Sequence, residues 1–189
     1  MIYPIYVYGT SVLRKKAKEI TKDYPKFHEL IKDMFETMHA SDGVGLAAPQ
    51  IGLSVRMIVI DGTEIEQDKD DPPEDFSTFK LTLINPVIRK LWGEKWVYNE
   101  GCLSLPTLRE DIERPEYLRI QYYDENFEFH DEEFNGIKSR IIQHEYDHLE
   151  GVLFIDRINP LKKRLINGKL IAISKGKVDI EYKIKIAKK

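Results

Sequence analysis

Hydrophobic residues recur at three- and four-residue intervals in two separate parts of the chain. This spacing gives a helix one apolar side, so it predicts an amphipathic helix over residues 25–40 and another over residues 137–150. The second helix lies between Gly136 and Gly151, and glycine is common just beyond the end of a helix. A further helix is predicted over residues 161–174.

Other segments are rich in β-branched and aromatic residues and predict strands. These segments are residues 55–60, 81–91, 95–98, 117–123, 127–134 and 178–186. Asp124-Glu125-Asn126 predicts a turn between two of them, which favours antiparallel pairing. The expected fold class is therefore α+β, with antiparallel β-sheets packed around the central helix of residues 137–150.

The length of 189 residues and the hydrophobic content of 42% fit one catalytic domain that spans residues 1–189. Charge is distributed unevenly along this domain. Residues 61–75 include eight acidic residues and one lysine, whereas residues 162–189 include ten basic residues and two acidic ones. We interpret residues 61–80 as an acidic insertion of poor order, and residues 161–189 as a basic C-terminal extension.

The composition argues against two classes of protein. The formal net charge of −3 provides no basic field for sequence-specific binding of nucleic acid. The apolar runs are a few residues long, far short of the roughly 20 residues that a membrane-spanning helix needs. The amino terminus lacks the long apolar stretch of a secretory signal, so we expect a cytoplasmic protein that does not bind membranes.

The helix predicted over residues 137–150 carries the strongest chemical signal in the chain. Residues 144–148 have the pattern His-Glu-x-x-His, which places two imidazoles one helical turn apart on the same side. A helical projection puts both histidines on the arc of Ile137 and Ile141, which faces the core, where an unpaired imidazole is costly. The opposite, polar arc holds Ser139, Arg140, Gln143, Asp147 and Glu150. A metal site is therefore favoured over two core histidines satisfied by ordinary hydrogen bonds.

Two histidines leave a catalytic metal site incomplete, because such sites typically have three protein ligands and an open position for water. The extended pattern His-Glu-x-x-His-x-x-Gly-x-x-His fits at Gly151 but fails at Phe154, and no histidine follows His148. Cys102 is the leading candidate for the third ligand, because a thiolate binds soft and borderline divalent metals well. In isolation Cys102 would be interpreted as a small buried hydrophobe, but beside an incomplete histidine pair ligation is favoured.

Three separated stretches resemble, in order and spacing, the signature motifs of peptide deformylases. They are residues 43–50 (GVGLAAPQ), 100–104 (EGCLS) and 143–149 (QHEYDHL). The similarity spans about residues 1–160, and Arg109 and Arg114 fall where the family carries arginines. The acidic insertion is longer than in the shortest family members, and the basic tail ends in a strand-like segment instead of a simple terminal helix. The resemblance implies a metal-dependent hydrolase that removes the N-formyl group from the formyl-methionine of newly synthesised polypeptides and releases formate.

The resemblance also implies a role for particular residues. The implied metal ligands are Cys102, His144 and His148. Fe²⁺ is the first choice of ion, with Zn²⁺, Ni²⁺ or Co²⁺ as substitutes. Glu145 is implied to transfer protons, and the Gln50 amide and the Leu103 backbone N–H are implied to stabilise the oxyanion. The implied substrate-binding residues are Gly45, Val44, Ile137, Ile141 and Arg109. The resemblance also implies that His144 helps to line the pocket for the methionine side chain, and Arg140 is expected to stay outside that pocket.

The implied partners are N-formylmethionyl peptides and nascent chains. The basic C-terminal region is interpreted either as a contact for the ribosome or as a solvated tail.

Two other interpretations of the motifs stay open. A His-Glu-x-x-His protease would cleave peptide bonds, and the missing downstream ligand argues against it. A non-catalytic, metal-stabilised binding module would need four protein ligands, whereas the sequence offers three good ones.

Overall fold

The computed structural model describes residues 1–66 and 74–187. The strands in these ranges are β1 (Ile5–Tyr6), β2 (Gly45–Ala47), β3 (Met57–Asp61), β4 (Lys80–Gly101), β5 (Arg109–Tyr123), β6 (Phe129–Phe134) and β7 (Ile184–Lys185). The α-helices are α1 (Phe27–Ala40), α2 (Gly136–Leu149), α3 (Pro160–Leu165) and α4 (Asn167–Ser174). Short 3₁₀ helices cover Ser11–Arg14, Ala48–Ile51 and Phe154–Asp156. The mixture of helices and antiparallel sheet confirms the predicted α+β class.

Strands β2 to β6 form one antiparallel sheet in the order β2-β3-β4-β5-β6. The longest strand is β4, at 22 residues, and β5 pairs with most of it. The sequence predicted two strands here, but the chain bends without leaving the sheet. Gly93 adopts a left-handed φ of +86°, and the register shifts between Trp92 and Lys95, as in a β-bulge.

Helix α2 packs against β2, β3 and β5 and lies at the centre of the fold. Its apolar residues Ile142 and Leu149 are fully buried in one cluster with Leu118 and Ile120 of β5. Helix α1 packs on β2 and β3 and buries Met34. The helices predicted over residues 25–40 and 137–150 are therefore confirmed.

The polar arc of α2 is buried as well. Its buried residues are Ser139, Arg140, Gln143 and Asp147. Strand β5 covers this arc: Gln143 donates a hydrogen bond of 3.0 Å to the Pro115 carbonyl, and Arg140 donates one of 3.0 Å to the Ile112 carbonyl. These bonds satisfy polar groups that burial would otherwise leave unpaired.

The two ends of the predicted acidic insertion belong to the core of the fold. Residues 67–73, in the segment for which the sequence predicts poor order, lie outside the described residues. On their C-terminal side, Phe76 and Phe79 are buried. The Glu74 carboxylate accepts hydrogen bonds from the backbone N–H groups of Ile137 (2.6 Å) and Lys138 (3.4 Å). A negative charge is favoured there, because the first N–H groups of α2 lack partners within the helix.

The C-terminal region returns to the start of the chain. The helix predicted over residues 161–174 is divided at Ile166 into α3 and α4. A strand was predicted over residues 178–186, and half-buried and exposed residues do alternate from residue 178 to residue 185. Within this segment, strand pairing is confined to β7, which pairs parallel with β1. None of the helices in the described ranges has the length and apolar character needed to cross a membrane.

Candidate metal centre

The Cys102 sulfur and the imidazoles of His144 and His148 meet at one point. One ligand atom from each residue lies within 4.8 Å of the other two. The Cys102 Sγ atom is 3.3 Å from His148 Nε2. The structure therefore brings together the three residues that the sequence suggested as metal ligands.

Local structure explains how distant parts of the sequence meet here. The two histidines are one turn apart on α2, with ring centroids separated by 5.3 Å. Cys102 directly follows the last residue of β4, and its carbonyl accepts a hydrogen bond of 2.9 Å from the Leu105 N–H. The chain turns back at this bond, so the thiol stands at the end of a strand next to α2.

Glu100 fixes the orientation of the His144 ring. Its Oε2 atom lies 2.9 Å from His144 Nδ1, and the carboxylate also accepts hydrogen bonds from Arg114 (2.7 and 3.0 Å) and Arg140 (2.7 Å). Burial raises the pKa of Glu100, but the bonds from His144 and Arg114 outweigh this effect and hold it well below its usual value. The carboxylate stays ionised, and a ring held through Nδ1 presents Nε2 to the cluster.

Arg114 connects this carboxylate to a second one. It is the largest fully buried side chain, and its Nη1 atom donates a hydrogen bond of 2.8 Å to Asp147. Asp147 also accepts a bond of 2.7 Å from Arg157. Sequence reasoning gave no role to Glu100, Arg114 or Asp147, although Glu100 and Asp147 lie within the quoted motifs and Arg114 falls where the family carries an arginine. The available signal was that charged residues flank the candidate ligands.

The charges around the cluster favour a cation. Burial lowers the pKa of His144, but hydrogen bonds with Cys102 and Glu100 outweigh burial and raise it to about 10. Burial and the neighbouring charge of His144 lower the pKa of His148 well below its usual value. A positive charge is thus stable at His144, between the Cys102 sulfur and the Glu100 carboxylate. The His148 ring stays neutral and keeps a nitrogen lone pair that can bind a metal ion. Thiolate and imidazole together fit Fe²⁺, Zn²⁺, Co²⁺ or Ni²⁺.

Glu145 places a buried carboxylate beside this cluster. Its Oε2 atom is buried and has no hydrogen-bond partner among the described residues. Burial raises the pKa of Glu145 to about 7. A buried carboxylate oxygen is costly unless water or a ligand reaches it, and a pKa near neutrality suits a group that exchanges protons.

Gln50 presents an amide donor to the same place. Its Oε1 atom accepts a hydrogen bond of 2.8 Å from the Ala47 N–H, which fixes the orientation of the amide. Its Nε2 atom then lies 3.6 Å from Cys102 Sγ and 3.3 Å from Ser104 Oγ. The donor side of the amide therefore faces the cluster.

A cavity of about 580 Å³ adjoins these groups. The residues with predicted substrate or catalytic roles that line it are Val44, Gly45, Gln50, Leu103, Arg109, Ile137, Ile141, His144 and Glu145. Cys102 lines it too, whereas His148 does not.

The prediction that Arg140 stays outside the pocket is wrong, because Arg140 is part of the lining. The polar arc of α2 is covered by strands and not by solvent. Arg140 is therefore held over the Trp96 ring, 4.1 Å from the centroid, at the side of the cavity.

Three lining residues come from segments that sequence reasoning left without a site. Ile65 belongs to the predicted acidic insertion, and Ile180 and Tyr182 belong to the basic extension. The signal that could have found the last two is the alternation in residues 178–186, which puts them on one side of an extended segment with Ile184.

The sequence is similar to proteins of one family. A family model described as Polypeptide deformylase matches residues 2–164. The peptide deformylase of Christiangramia forsetii is 52% identical over 188 residues, which cover 98% of this chain and 96% of the relative. The peptide deformylase of Flavobacterium johnsoniae is 52% identical over 190 residues, which cover 99% and 97%.

Solved structures are similar as well. The crystal structure of the peptide deformylase from Thermotoga maritima has a TM-score of 0.73 and 41% identity, and the match covers 85% of this chain and 99% of that one. The peptide deformylase from Synechococcus elongatus, solved in complex with actinonin, has a TM-score of 0.76 and 37% identity, with coverage of 88% and 85%.

Proposed function

The chain belongs to the peptide deformylase family, and from that membership we propose which of its residues carry out the reaction. The enzyme is a hydrolase that removes the N-formyl group from newly synthesised polypeptides. The observation that supports the residue roles best is the meeting of Cys102, His144 and His148 beside a cavity that Glu145 lines.

We assign Cys102, His144 and His148 as ligands of a catalytic divalent cation. When bound, this cation supplies a water molecule of lowered pKa and polarises the formyl oxygen. Glu100 supports the assignment, because its bond to His144 Nδ1 leaves Nε2 available as a ligand atom. We propose Fe²⁺ as the physiological ion, in line with the family, with Zn²⁺, Ni²⁺ or Co²⁺ as substitutes. Metal analysis of anaerobically purified protein tests this choice.

Glu145 moves the protons of the reaction. It takes a proton from the attacking water, whose oxygen bonds to the formyl carbon. When the carbon–nitrogen bond breaks, Glu145 delivers the proton to the departing amine, and formate and a free N terminus remain. A pKa of about 7 suits both steps, because the carboxyl group can hold or release a proton near neutral pH.

The Gln50 amide and the Leu103 N–H stabilise the negative charge that develops on the formyl oxygen. The Gln50 amide is pre-oriented by Ala47, which leaves Nε2 as the donor. Leu103 lies in the turn after β4, and its N–H donates no hydrogen bond to a backbone carbonyl of the described part of the chain. Two fixed donors at this oxygen would favour the transition state, because they need no reorientation as the charge forms.

The substrate peptide binds along the cavity next to these groups. Ile137 and Ile141 offer an apolar surface to the methionine side chain, with Val44 at the more exposed edge. The Gly45 backbone pairs with the substrate main chain. Arg109 is exposed, and the Asn99 side chain accepts a hydrogen bond of 2.9 Å from it, so it presents a positive charge to the bound peptide.

We place this activity in the cytoplasm, where nascent chains leave the ribosome, and propose that the basic residues of segment 161–189 contribute to that encounter. Arg164 and Lys169 are exposed there. Reversal of both charges should weaken cosedimentation with ribosomes and reduce its dependence on salt, since exposed charges act over about 10 Å at 0.1 M ionic strength.

The proposed function is tested by incubating the purified protein with formyl-Met peptides and with the same peptides lacking the formyl group. We expect release of formate from the first set and no cleavage of either chain. Cleavage of internal peptide bonds would indicate a protease. Binding without turnover would indicate a metal-stabilised binding module.

Gly45 permits the close approach of Glu145, and this contact yields a prediction. A Cβ atom at residue 45 would lie 2.6 Å from Glu145 Oε1 and 2.9 Å from its Cδ atom. We expect Gly45→Ala to displace the carboxylate and lower kcat for formyl-Met peptides about 100-fold, the typical cost of moving a reacting group by about 1 Å. Metal content, measured in the same samples, should stay unchanged.

The matched control is Gly168→Ala in α4. Apart from its chain neighbours and the backbone of its own helix, no atom of the described residues lies within 4 Å of a Cβ atom at that residue, so this variant should keep wild-type turnover. Equal kcat in the two variants would contradict the proposed constraint on Glu145.

A further inference from the structure

The C-terminal segment, residues 178–186, lies beyond residues 2–164, the range that the family model matches. Two of its side chains, Ile180 and Tyr182, nevertheless line the cavity. We propose that Tyr182 is a positioning residue for deformylation: its hydroxyl fixes Leu103, whose backbone N–H is the proposed oxyanion donor. The inference rests on that proposed role of Leu103.

The key contact is one hydrogen bond. The Tyr182 hydroxyl donates to the Leu103 carbonyl over 2.9 Å, and the tyrosine is half-buried. The carbonyl and the N–H of one residue are separated only by that residue's two soft backbone dihedrals. A bond that holds the carbonyl therefore restricts the direction in which the Leu103 N–H points.

The carbonyls on either side of Leu103 also accept hydrogen bonds, so the backbone of this turn is fixed at three successive residues. The Cys102 carbonyl accepts a bond of 2.9 Å from the Leu105 N–H, and the Ser104 carbonyl accepts one of 2.9 Å from the Tyr8 N–H. Both donors are backbone groups. The Leu103 carbonyl, between them, is the one held by a side chain, so its bond can be removed by a single substitution that leaves the others in place.

The tyrosine is itself anchored outside the turn. The Ile5 N–H donates to the carbonyl of Lys183, the next residue after Tyr182, over 2.8 Å, and Ile5 pairs with Ile184 in the β1–β7 sheet. The hydroxyl is thus placed by a separate piece of backbone structure. Such external support is what an oxyanion donor requires, because its distance to the charged oxygen must be held within about 2.7–3.1 Å.

The test uses Tyr182→Phe in the full-length, metal-loaded enzyme. This change removes the hydroxyl and keeps the ring against the cavity. We expect kcat for a formyl-Met peptide to fall about tenfold, less than the ~100-fold or greater loss on deleting an oxyanion donor, because the two flanking bonds remain. KM and metal content should stay at wild-type values. Tyr123→Phe is the control, since that hydroxyl is exposed on β5 and outside the cavity lining.

A second measurement does not depend on turnover. Hydrogen exchange of the backbone amides of residues 102–108, followed by mass spectrometry, should be faster in Tyr182→Phe than in Tyr123→Phe or the wild type. Unchanged exchange together with unchanged kcat would overturn the inference. A raised KM with unchanged kcat would also overturn it, because Tyr182 would then be only part of the pocket wall. A loss of metal in proportion to the loss of kcat would do the same.

The failure of this inference is distinguishable from failure of the proposed function. Wild-type protein that released no formate would overturn the proposed function. The role of Tyr182 alone would be overturned if the wild-type protein turned over normally and Tyr182→Phe matched it in kcat and in the rate of amide hydrogen exchange.

Discussion

Glu145→Gln should lose nearly all turnover while retaining the metal. Glutamine has almost the same shape as glutamate, but its amide cannot accept a proton from water at neutral pH. The buried carboxylate, whose Oε2 atom finds no hydrogen-bond partner in residues 1–66 and 74–187, is the proposed proton acceptor beside the ligand cluster. General acid–base catalysis typically contributes about 10²–10⁴-fold, so we expect kcat to fall at least about 1000-fold. Steady-state formate release and metal analysis of the same preparation check the two parts of this prediction.

The control for Glu145→Gln is Glu128→Gln, which makes the same carboxylate-to-amide change elsewhere in the chain. Glu128 is exposed in the turn before β6 and is absent from the cavity lining. It should behave like the wild type. If Glu145→Gln kept even a tenth of wild-type kcat, proton transfer by Glu145 would be the wrong assignment.

Cys102→Ala should lose the metal, and turnover with it. The substitution leaves two imidazoles, fewer than the three protein ligands that catalytic sites typically have. Loss of a group that merely orients a ligand costs about 10–100-fold in affinity, so removal of the thiolate itself should cost at least about 100-fold. Titration of the metal-free protein with Zn²⁺ or Co²⁺ measures the affinity directly.

The control for the cysteine variant is His28→Ala. His28 is exposed and lies outside the cluster, so this change removes a side chain of a metal-binding type without touching the proposed site. Its affinity should equal that of the wild type. Undiminished metal content in Cys102→Ala would remove Cys102 from the coordination sphere. The two substitutions should also be distinguishable from each other. Glu145→Gln should lose turnover but keep the metal, whereas Cys102→Ala should lose both.

Parts of the site with local sequence signals could be predicted from the chain alone. The His144 and His148 pair follows from helical periodicity, because residues four apart share a side of a helix. Cys102 followed from chemistry, since an incomplete ligand set needed another soft donor. Its distance from the histidines could not be calculated from periodicity, because it depends on how β4 and α2 pack.

The residues that were missed depend on contacts between distant elements. Glu100 of β4, Arg114 of β5 and Asp147 of α2 form their ion pairs only after three elements have packed. Arg140 was placed on the polar arc and outside the pocket because a helical projection contains no information about the strands that cover that arc. The prediction of two separate strands over residues 81–91 and 95–98 was wrong for a related reason: a glycine and a register shift bend one strand that the neighbouring β5 keeps in the sheet.

The pairing of β1 with β7 also has a consequence for the order in which the enzyme matures. Translation delivers Ile5 long before its partner Ile184, so this parallel pair closes late. Contacts between residues so far apart in sequence form slowly compared with local ones. The hydrogen bond from Tyr182 to the Leu103 carbonyl therefore forms late, so the proposed oxyanion donor is held in place only at the end of folding. On the proposed role of Tyr182, a new molecule gains its full rate of deformylation only after β7 has been made and has paired with β1.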